Sequence, residues 1–319
     1  MPRWSDQDIP DQSGKTALIT GANSGLGLRT AQVLAEKGAR VLLACRSADR
    51  GADAVRAVTE AAHSSAVDSA VELIVLDLAD LSSVRGASEQ VRALTGDQLD
   101  ILVNNAGVMM TPHRTTADGF EMQFGTNHLG HAALTWLLMP ALRNRPAARV
   151  VTLSSTAARA GRINMTDLNY EHRNYQPQSA YGQAKLANLI FALELDRRSR
   201  KAGLDLISSA AHPGYTATNL VNNMAGSRDA GPLASLIEFF GELGGRYVAQ
   251  NVEAGALPTL FAATSPDVRG GDYYGPDGFM EIRGMPGRAH LPRAAQDPDT
   301  ATQLWDRTAE LTGVTPDPA

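Results

Sequence analysis

Six short apolar runs, each followed by a longer stretch with helical spacing, constrain this chain more than any other feature. They are Thr16–Thr20, Arg40–Cys45, Val71–Leu76, Asp100–Asn104, Arg149–Ser154 and Leu204–Ala211. Each is rich in Val, Ile and Leu and shows no polar–apolar alternation, so both faces of such a strand must be covered. Helix candidates at 25–37, 49–62, 82–94, 118–143 and 178–201 fall between them, the first closed by Gly38, a suitable C-cap. Repeated strand–helix units with right-handed crossovers imply an α/β fold, a doubly wound parallel sheet. A weak seventh strand is expected near Gly271–Tyr274, and a closing helix near 298–312 after Pro298.

The 319 residues suffice for one such domain. The whole of 1–319 therefore reads as a single domain, with an extension at 1–13 before the first strand. A net charge of −5 argues against a nucleic-acid or anionic-membrane partner. The one cysteine, Cys45, excludes an internal disulfide and fits a reducing cytosol; it reads as a buried strand residue. The opening Met1–Pro10 lacks the apolar core of a signal peptide, and no run approaches the ~18 apolar residues that span a bilayer. A cytoplasmic protein without an integral membrane segment is expected. The region 222–250 breaks the strand–helix rhythm, with Leu233, Leu236, Ile237, Phe240 and Leu243 at helical spacing. A lid over a substrate site, a helix on the main core, and a membrane or subunit contact remain open for it.

The turn after the first strand reads Gly21-Ala22-Asn23-Ser24-Gly25-Leu26-Gly27. Gly21 permits a tight turn, and Gly25 and Gly27 let backbone approach a pyrophosphate on the helix N-terminus. Asn23 and Leu26 belong to the same cradle. At the end of the second strand stands Arg46 rather than an acid, with Ser24 as a second donor. A guanidinium there pairs with a 2′-phosphate, which favours NADP(H) and leaves NAD(H) possible. Asp77, with the backbone at Leu78, is placed to meet the adenine; the competing role for Asp77 is a helix cap. Asn104-Asn105-Ala106-Gly107 follows the fourth strand, where small residues let the chain pass close to the cofactor and asparagine side chains can bridge neighbouring strands; the competing reading is a plain turn. In His212-Pro213-Gly214-Tyr215-Thr216-Ala217-Thr218, Pro213 and Gly214 set a sharp turn beside the nicotinamide. Thr216 and Thr218 are candidates for the phosphate or carboxamide, or for helix N-capping.

Tyr181 and Lys185 stand four apart and so share one helix face. A phenol of pKa about 10 moves a proton near neutrality only beside a positive charge, which Lys185 supplies. The Lys185 ammonium can also hold the nicotinamide ribose. Ser155, at the end of the fifth strand, can donate to a substrate oxygen, with Ser154 as its rival. Asn127 can hold a water that links Lys185 to solvent. These groups describe a hydride-transfer site in which a tyrosine moves the proton. His128 and His131 have a metal-compatible spacing, but no Cys or carboxylate set accompanies them. They read as helix packing, and no metal is expected.

With these residues in this order, the chain resembles the short-chain dehydrogenase/reductase family, in the branch with the G-x-x-x-G-x-G turn. Ala44-Cys45-Arg46-Ser47, Asn127–His131, Lys185–Asn188 and the long Ser155–Tyr181 spacing are similar to retinol-dehydrogenase and protochlorophyllide-reductase-like members. The resemblance implies a Rossmann fold, 4-pro-S hydride transfer, and Tyr181, Lys185, Asn127 and Ser155 in the roles given above. It also implies a small-molecule partner and a possible homo-dimer or homo-tetramer through the helices near 118–143 and 178–201. An apolar lid would favour a lipophilic alcohol or carbonyl. Two other readings use the same motifs: a catalytically silent NADP(H)-binding sensor or scaffold, and a reductase of an activated C=C bond.

Overall fold

The computed structural model describes residues 4–65, 67–215 and 250–319. The described strands form one sheet in the order β3-β2-β1-β4-β5-β6-β7-β8. They are β1 (Thr16–Thr20), β2 (Arg40–Cys45), β3 (Val71–Val75), β4 (Ile101–Asn104), β5 (Ala148–Leu153), β6 (Leu206–Ala211), β7 (Tyr273–Pro276) and β8 (Pro286–Arg288). All neighbours run parallel except β7 and β8, which form an antiparallel edge. The order reverses between β1 and β4, and at such a switch point the carboxyl ends of the strands open a crevice.

Burial on both faces explains the unalternating runs of the inner strands, while β3, at the sheet edge, leaves Val75 exposed. Ala17 and Ile19 of β1 join one core with α1 (Gly25–Glu36), α2 (Ala48–Ser64) and α7 (Val252–Thr264). Leu18 joins the other, with α3 (Leu81–Thr95), α5 (Gly130–Arg143) and α6 (Pro177–Lys201). The residues 4–13 lie on the first layer: Ile9 is buried, and Trp4 meets Phe261 of α7 edge-on at 5.1 Å.

Several elements differ from the sequence expectation. The helix expected over 118–143 is interrupted. A one-turn α4 (Met122–Phe124) passes into a π-turn at Gly125–Leu129 before α5 begins. The helix α7 and the strand β8 have no counterpart among the elements the sequence pattern implies. The closing helix α8 (Pro298–Thr312) lies across α5 and α6, with Trp305 stacked on Phe191 at 5.4 Å and edge-on to Trp136 at 4.9 Å. At that place the two helices expected to offer an oligomer surface are covered by the chain's own residues. Thr216, Thr218 and residues 222–249 of the expected lid lie outside the described residues.

Candidate active site

The turn after β1 is held by backbone approach. Gly21 has φ +66°, and a Cβ there would lie 2.9 Å from the Ala106 Cα. A Cβ on Gly27 would fall 2.5 Å from both the Asn105 Nδ2 and the Gly21 carbonyl oxygen. Asn105 uses that amide to donate to the Thr20 carbonyl at 2.7 Å, joining the ends of β4 and β1. Ser24 caps α1 without a side-chain cap bond, is exposed, and no acidic residue stands in the first turn. Open N–H groups with no competing carboxylate fit an anionic pyrophosphate. Asn23 and Leu26, in the same turn, are half-buried.

Arg46 is exposed just beyond β2. Cys45 beneath it is buried, and burial pushes its thiol up to about 11, which makes it unreactive. Asp77 accepts the Ala79 N–H at 2.9 Å, while the cap of α3 falls to Asp80, which accepts from Ser82 and Ser83. Leu78 is buried, and its carbonyl lies so close to Gly130 that a Cβ there would approach to 2.4 Å. The glycine turn, the uncapped helix end and the exposed guanidinium together fit a phosphorylated dinucleotide.

Asn104, expected beside the cofactor, is fully buried. Its amide donates to Thr135 of α5 at 2.9 Å and to Thr152 of β5 at 3.4 Å. Its part is to strap strand to helix beneath the site. Ala106 and Gly107 form the surface above it. A Cβ on Gly107 would meet Asn127 Oδ1 at 3.1 Å and Lys185 Nζ at 3.6 Å. This small residue therefore lies directly against both groups.

Tyr181 and Lys185 project from α6 toward the end of β5. The Ser155 hydroxyl lies beside the Tyr181 phenol and counters part of the effect of burial on it. Lys185 is buried, donates to the Leu153 carbonyl at 3.0 Å, and sits 5.9 Å from the Tyr181 ring centroid. Burial pushes Tyr181 up to about 12, against the opposing effect of Ser155, and brings Lys185 down to about 8. Ser154 is committed elsewhere, donating to the Lys185 carbonyl at 2.8 Å. Ser155 instead opens the 3₁₀ turn Thr156–Arg159, accepting the Ala157 N–H at 3.2 Å. That loop packs tightly on α6, because a Cβ at Gly161 would lie 2.3 Å from the Gly182 carbonyl. Both glycines are invisible as site residues in the sequence, yet they set the Ser155–Tyr181 approach.

Asn127 lies in the π-turn, a distortion frequent at functional sites. Its amide is pinned to one residue: Oδ1 accepts the Val108 N–H at 2.8 Å, and Nδ2 donates to the Val108 carbonyl at 2.9 Å. The main-chain carbonyl of Asn127 accepts from His131 Nδ1 at 2.8 Å. With its proton on Nδ1 and burial lowering its pKa to about 4, His131 is neutral and accepts the Thr20 hydroxyl on Nε2 at 2.9 Å. The Thr20 oxygen also accepts the Asn105 and Ala106 N–H groups, each at 2.9 Å. Thr20 and His131 thus couple the glycine turn to Asn127. Neither stood out in the sequence, where a Thr ends an apolar run and a His has an ordinary packing role. His128, the other histidine of the pair, bonds Thr308 of α8 at 2.9 Å. Among the described residues no group of His, Cys, Asp or Glu could hold a metal ion.

Residues 15–229, more than half of the chain, match the family described as short chain dehydrogenase. The chain belongs to that family. Human retinol dehydrogenase 14 is 38% identical over 312 residues, covering 94% of this chain and 87% of its own. Mouse polyprenol dehydrogenase is 38% identical over 312 residues, covering 96% and 86%. The solved structure of an uncharacterized protein from Mycobacterium paratuberculosis is 40% identical, with a TM-score of 0.79 over 98% of both chains. This short-chain dehydrogenase is an oxidoreductase working between an alcohol and a carbonyl. Among its described residues no helix is long and apolar enough to cross a membrane.

Proposed function

We propose that this short-chain dehydrogenase interconverts a lipophilic alcohol and its aldehyde or ketone with NADP(H), using Tyr181 as general acid/base. The observation that carries the reading is the cluster itself: a phenol beside the Ser155 hydroxyl, with a buried lysine 5.9 Å from its ring. The dinucleotide, when bound, supplies or takes up the hydride. Gly21 to Gly27, Arg46, Asp77, Leu78, Ala106, Gly107, Pro213 and Gly214 would hold it, with Thr216 and Thr218 as further candidates. Ser155 donates to the substrate oxygen, and Tyr181 passes its phenolic proton to that oxygen in reduction. Lys185 holds positive charge beside the phenol, which favours the tyrosinate left behind. The Asn127 amide is held against Val108 by two bonds, and its main-chain carbonyl keeps a lone pair beyond the His131 bond with which to hold the relay water.

In the chain alone, a phenol near 12 and an ammonium near 8 leave Tyr181 protonated and Lys185 mostly charged at neutral pH. That is the state needed for carbonyl reduction; alcohol oxidation should strengthen as pH rises. Lipophilic substrates are supported by the relatives, whose names specify retinol and polyprenol. The exposed Arg46 favours NADP(H), and the absence of a disulfide-forming pair favours the cytosol.

The test is a fluorescence titration with NADPH and NADH on the wild type and Arg46→Ala, followed by turnover of all-trans-retinal with 4S-deuterated NADPH. Expected are NADPH preference, loss of about 1.5–3 kcal/mol of it in the variant, as for a charged hydrogen bond, and deuterium on the alcohol carbon. Equal NADH binding would sink the phosphate assignment. Deuterium at a saturated C–C position would point to C=C reduction.

A further inference from the structure

Behind the Pro213-Gly214 turn lies a second buried polar cluster. The His212 side chain is fully buried, and its Nδ1 accepts the Gly214 N–H at 3.2 Å. Its proton therefore sits on Nε2, which donates to Glu281 Oε2 at 2.9 Å. Arg159 Nη2 reaches the same oxygen at 2.5 Å, while Glu281 Oε1 accepts the His290 N–H at 2.7 Å. One carboxylate thus ties the turn after Ser155, the end of β6 and the stretch leading into the last 3₁₀ turn, Arg293–Ala295. Burial alone would raise the Glu281 carboxyl, but the bonds from His212 and His290 and the Arg159 charge bring it down to about 2. It is anionic at neutral pH.

The backbone around it is tightly set. Met280 and Glu281 both take left-handed φ values, 52° and 57°, a conformation that persists only where its surroundings impose it. The Tyr215 N–H donates to the Ile282 carbonyl at 2.8 Å. A Cβ at Gly214, where φ is +67°, would lie 2.4 Å from that same oxygen. The His212 ring lies against Gly275 of β7, where a Cβ would come within 2.0 Å of Nε2. Tyr273, from β7, stacks obliquely on His212 at 5.1 Å and donates to the Ser155 carbonyl at 3.4 Å.

We propose that Glu281 is a positioning residue for the reaction. By clamping Arg159 and His212 together, it fixes the Pro213-Gly214 turn relative to the Ser155 loop. It so sets the register between the cofactor-facing turn and the donor to the substrate oxygen. The inference rests on the functional reading above, in which those two segments flank the reacting atoms.

The experiment uses Glu281→Gln, Arg159→Met and the double variant in the full chain. Thermal unfolding, calorimetric NADPH binding, nicotinamide fluorescence enhancement and kcat with all-trans-retinal are measured on each. Expected is an NADPH Kd close to wild type with reduced fluorescence enhancement. The kcat should fall about tenfold to a hundredfold, the scale of an ångström-sized misplacement. The double variant should be no worse than Glu281→Gln, because the two residues act as a unit. A lowered unfolding temperature with unchanged kcat and unchanged fluorescence in the folded protein would overturn the proposal. If Glu281→Gln does not fold, Arg159→Met, which leaves the His212 pair intact, decides on the same readouts. If the wild type binds NADPH but reduces no carbonyl, the functional reading fails, and the fluorescence comparison still decides the role of Glu281.

Discussion

The carboxyl edge of the sheet is held in two different ways at its two sides. Between β1 and β4 the chain passes at close main-chain range, held by short neutral side chains of Thr20 and Asn105, with Gly21, Gly27 and Ala106 at distances that leave no room for an added methyl group. Between β5 and β7 the contacts are made by charged and polar side chains from separated segments, Arg159, His212 and Glu281. The first side cannot accept an added atom; the second cannot spare a charge. A phosphate cradle needs close main-chain approach, so small residues serve it. Two segments far apart in sequence need a reaching side chain, so an ion cluster serves them.

The largest effect should come from the centre, where both sides meet. Tyr181→Phe removes the proton donor and leaves both frames in place. The kcat should fall by about 10²- to 10⁴-fold, with NADPH binding unchanged by titration. A variant that keeps its activity would remove the chemical reason for comparing the two sides. Next is Gly27→Ala, which pushes a methyl group into Asn105 and the Gly21 carbonyl. Overpacking of this kind costs about 1–3 kcal/mol, read by urea unfolding, and NADPH binding should fail with it. Stability intact together with binding intact would show that the turn relaxes and that the contrast is false.

The smallest effect is a separation in pH. The folded-state pKa of His131 lies near 4, below the usual 6.5, because burial disfavours its charge. The stability it contributes is complete above 6.5 and is lost as pH falls toward 4. Glu281, brought to about 2 from 4.5, contributes stability that is complete above 4.5 and is lost toward 2. Unfolding free energy followed against pH should have a shallower upper acid slope in His131→Gln, with His128 accounting for the rest of it, and a shallower lower one in Glu281→Gln. Coincident slopes in both variants would mean that the two sides titrate as one.

The cradle side was legible because its signals are local. Apolar runs gave the strands, and the glycines lie within one turn of chain. Tyr181 and Lys185 are legible for the same reason, as a pair on one helix face. The clamp was not legible, because nothing near Glu281 in sequence points to Arg159 or His212. The helix α7 is apolar nearly all round and carries Pro258, so it offers neither periodicity nor an uninterrupted helical signal. The strand β8 is only Pro286-Gly287-Arg288, which has no strand propensity and forms by pairing with the exposed edge of β7. The π-turn at Gly125–Leu129 leaves no mark in the sequence, where its residues read as ordinary helix. The asparagines of Asn104–Gly107 are legible as strand bridges, and Asn104 does reach Thr152 of β5; its bond to Thr135 of α5 is not legible, because nothing near it in sequence points there. A motif fixes where a residue sits along the chain, not which way its side chain turns.

The packing of Trp305 against Phe191 and Trp136 has a consequence in time. The sheet order through β6 and the helices α5 and α6 are complete in sequence well before residues 298–312 are made. At roughly 5–20 residues per second of synthesis, the aromatic face between α5 and α6 stays uncovered for several seconds on every ribosome. Over that interval a nearly finished enzyme carries an adhesive patch that its own last helix has yet to cover. A stalled or prematurely ended chain would keep that patch, and would be marked for chaperones or for degradation by surface rather than by lost activity.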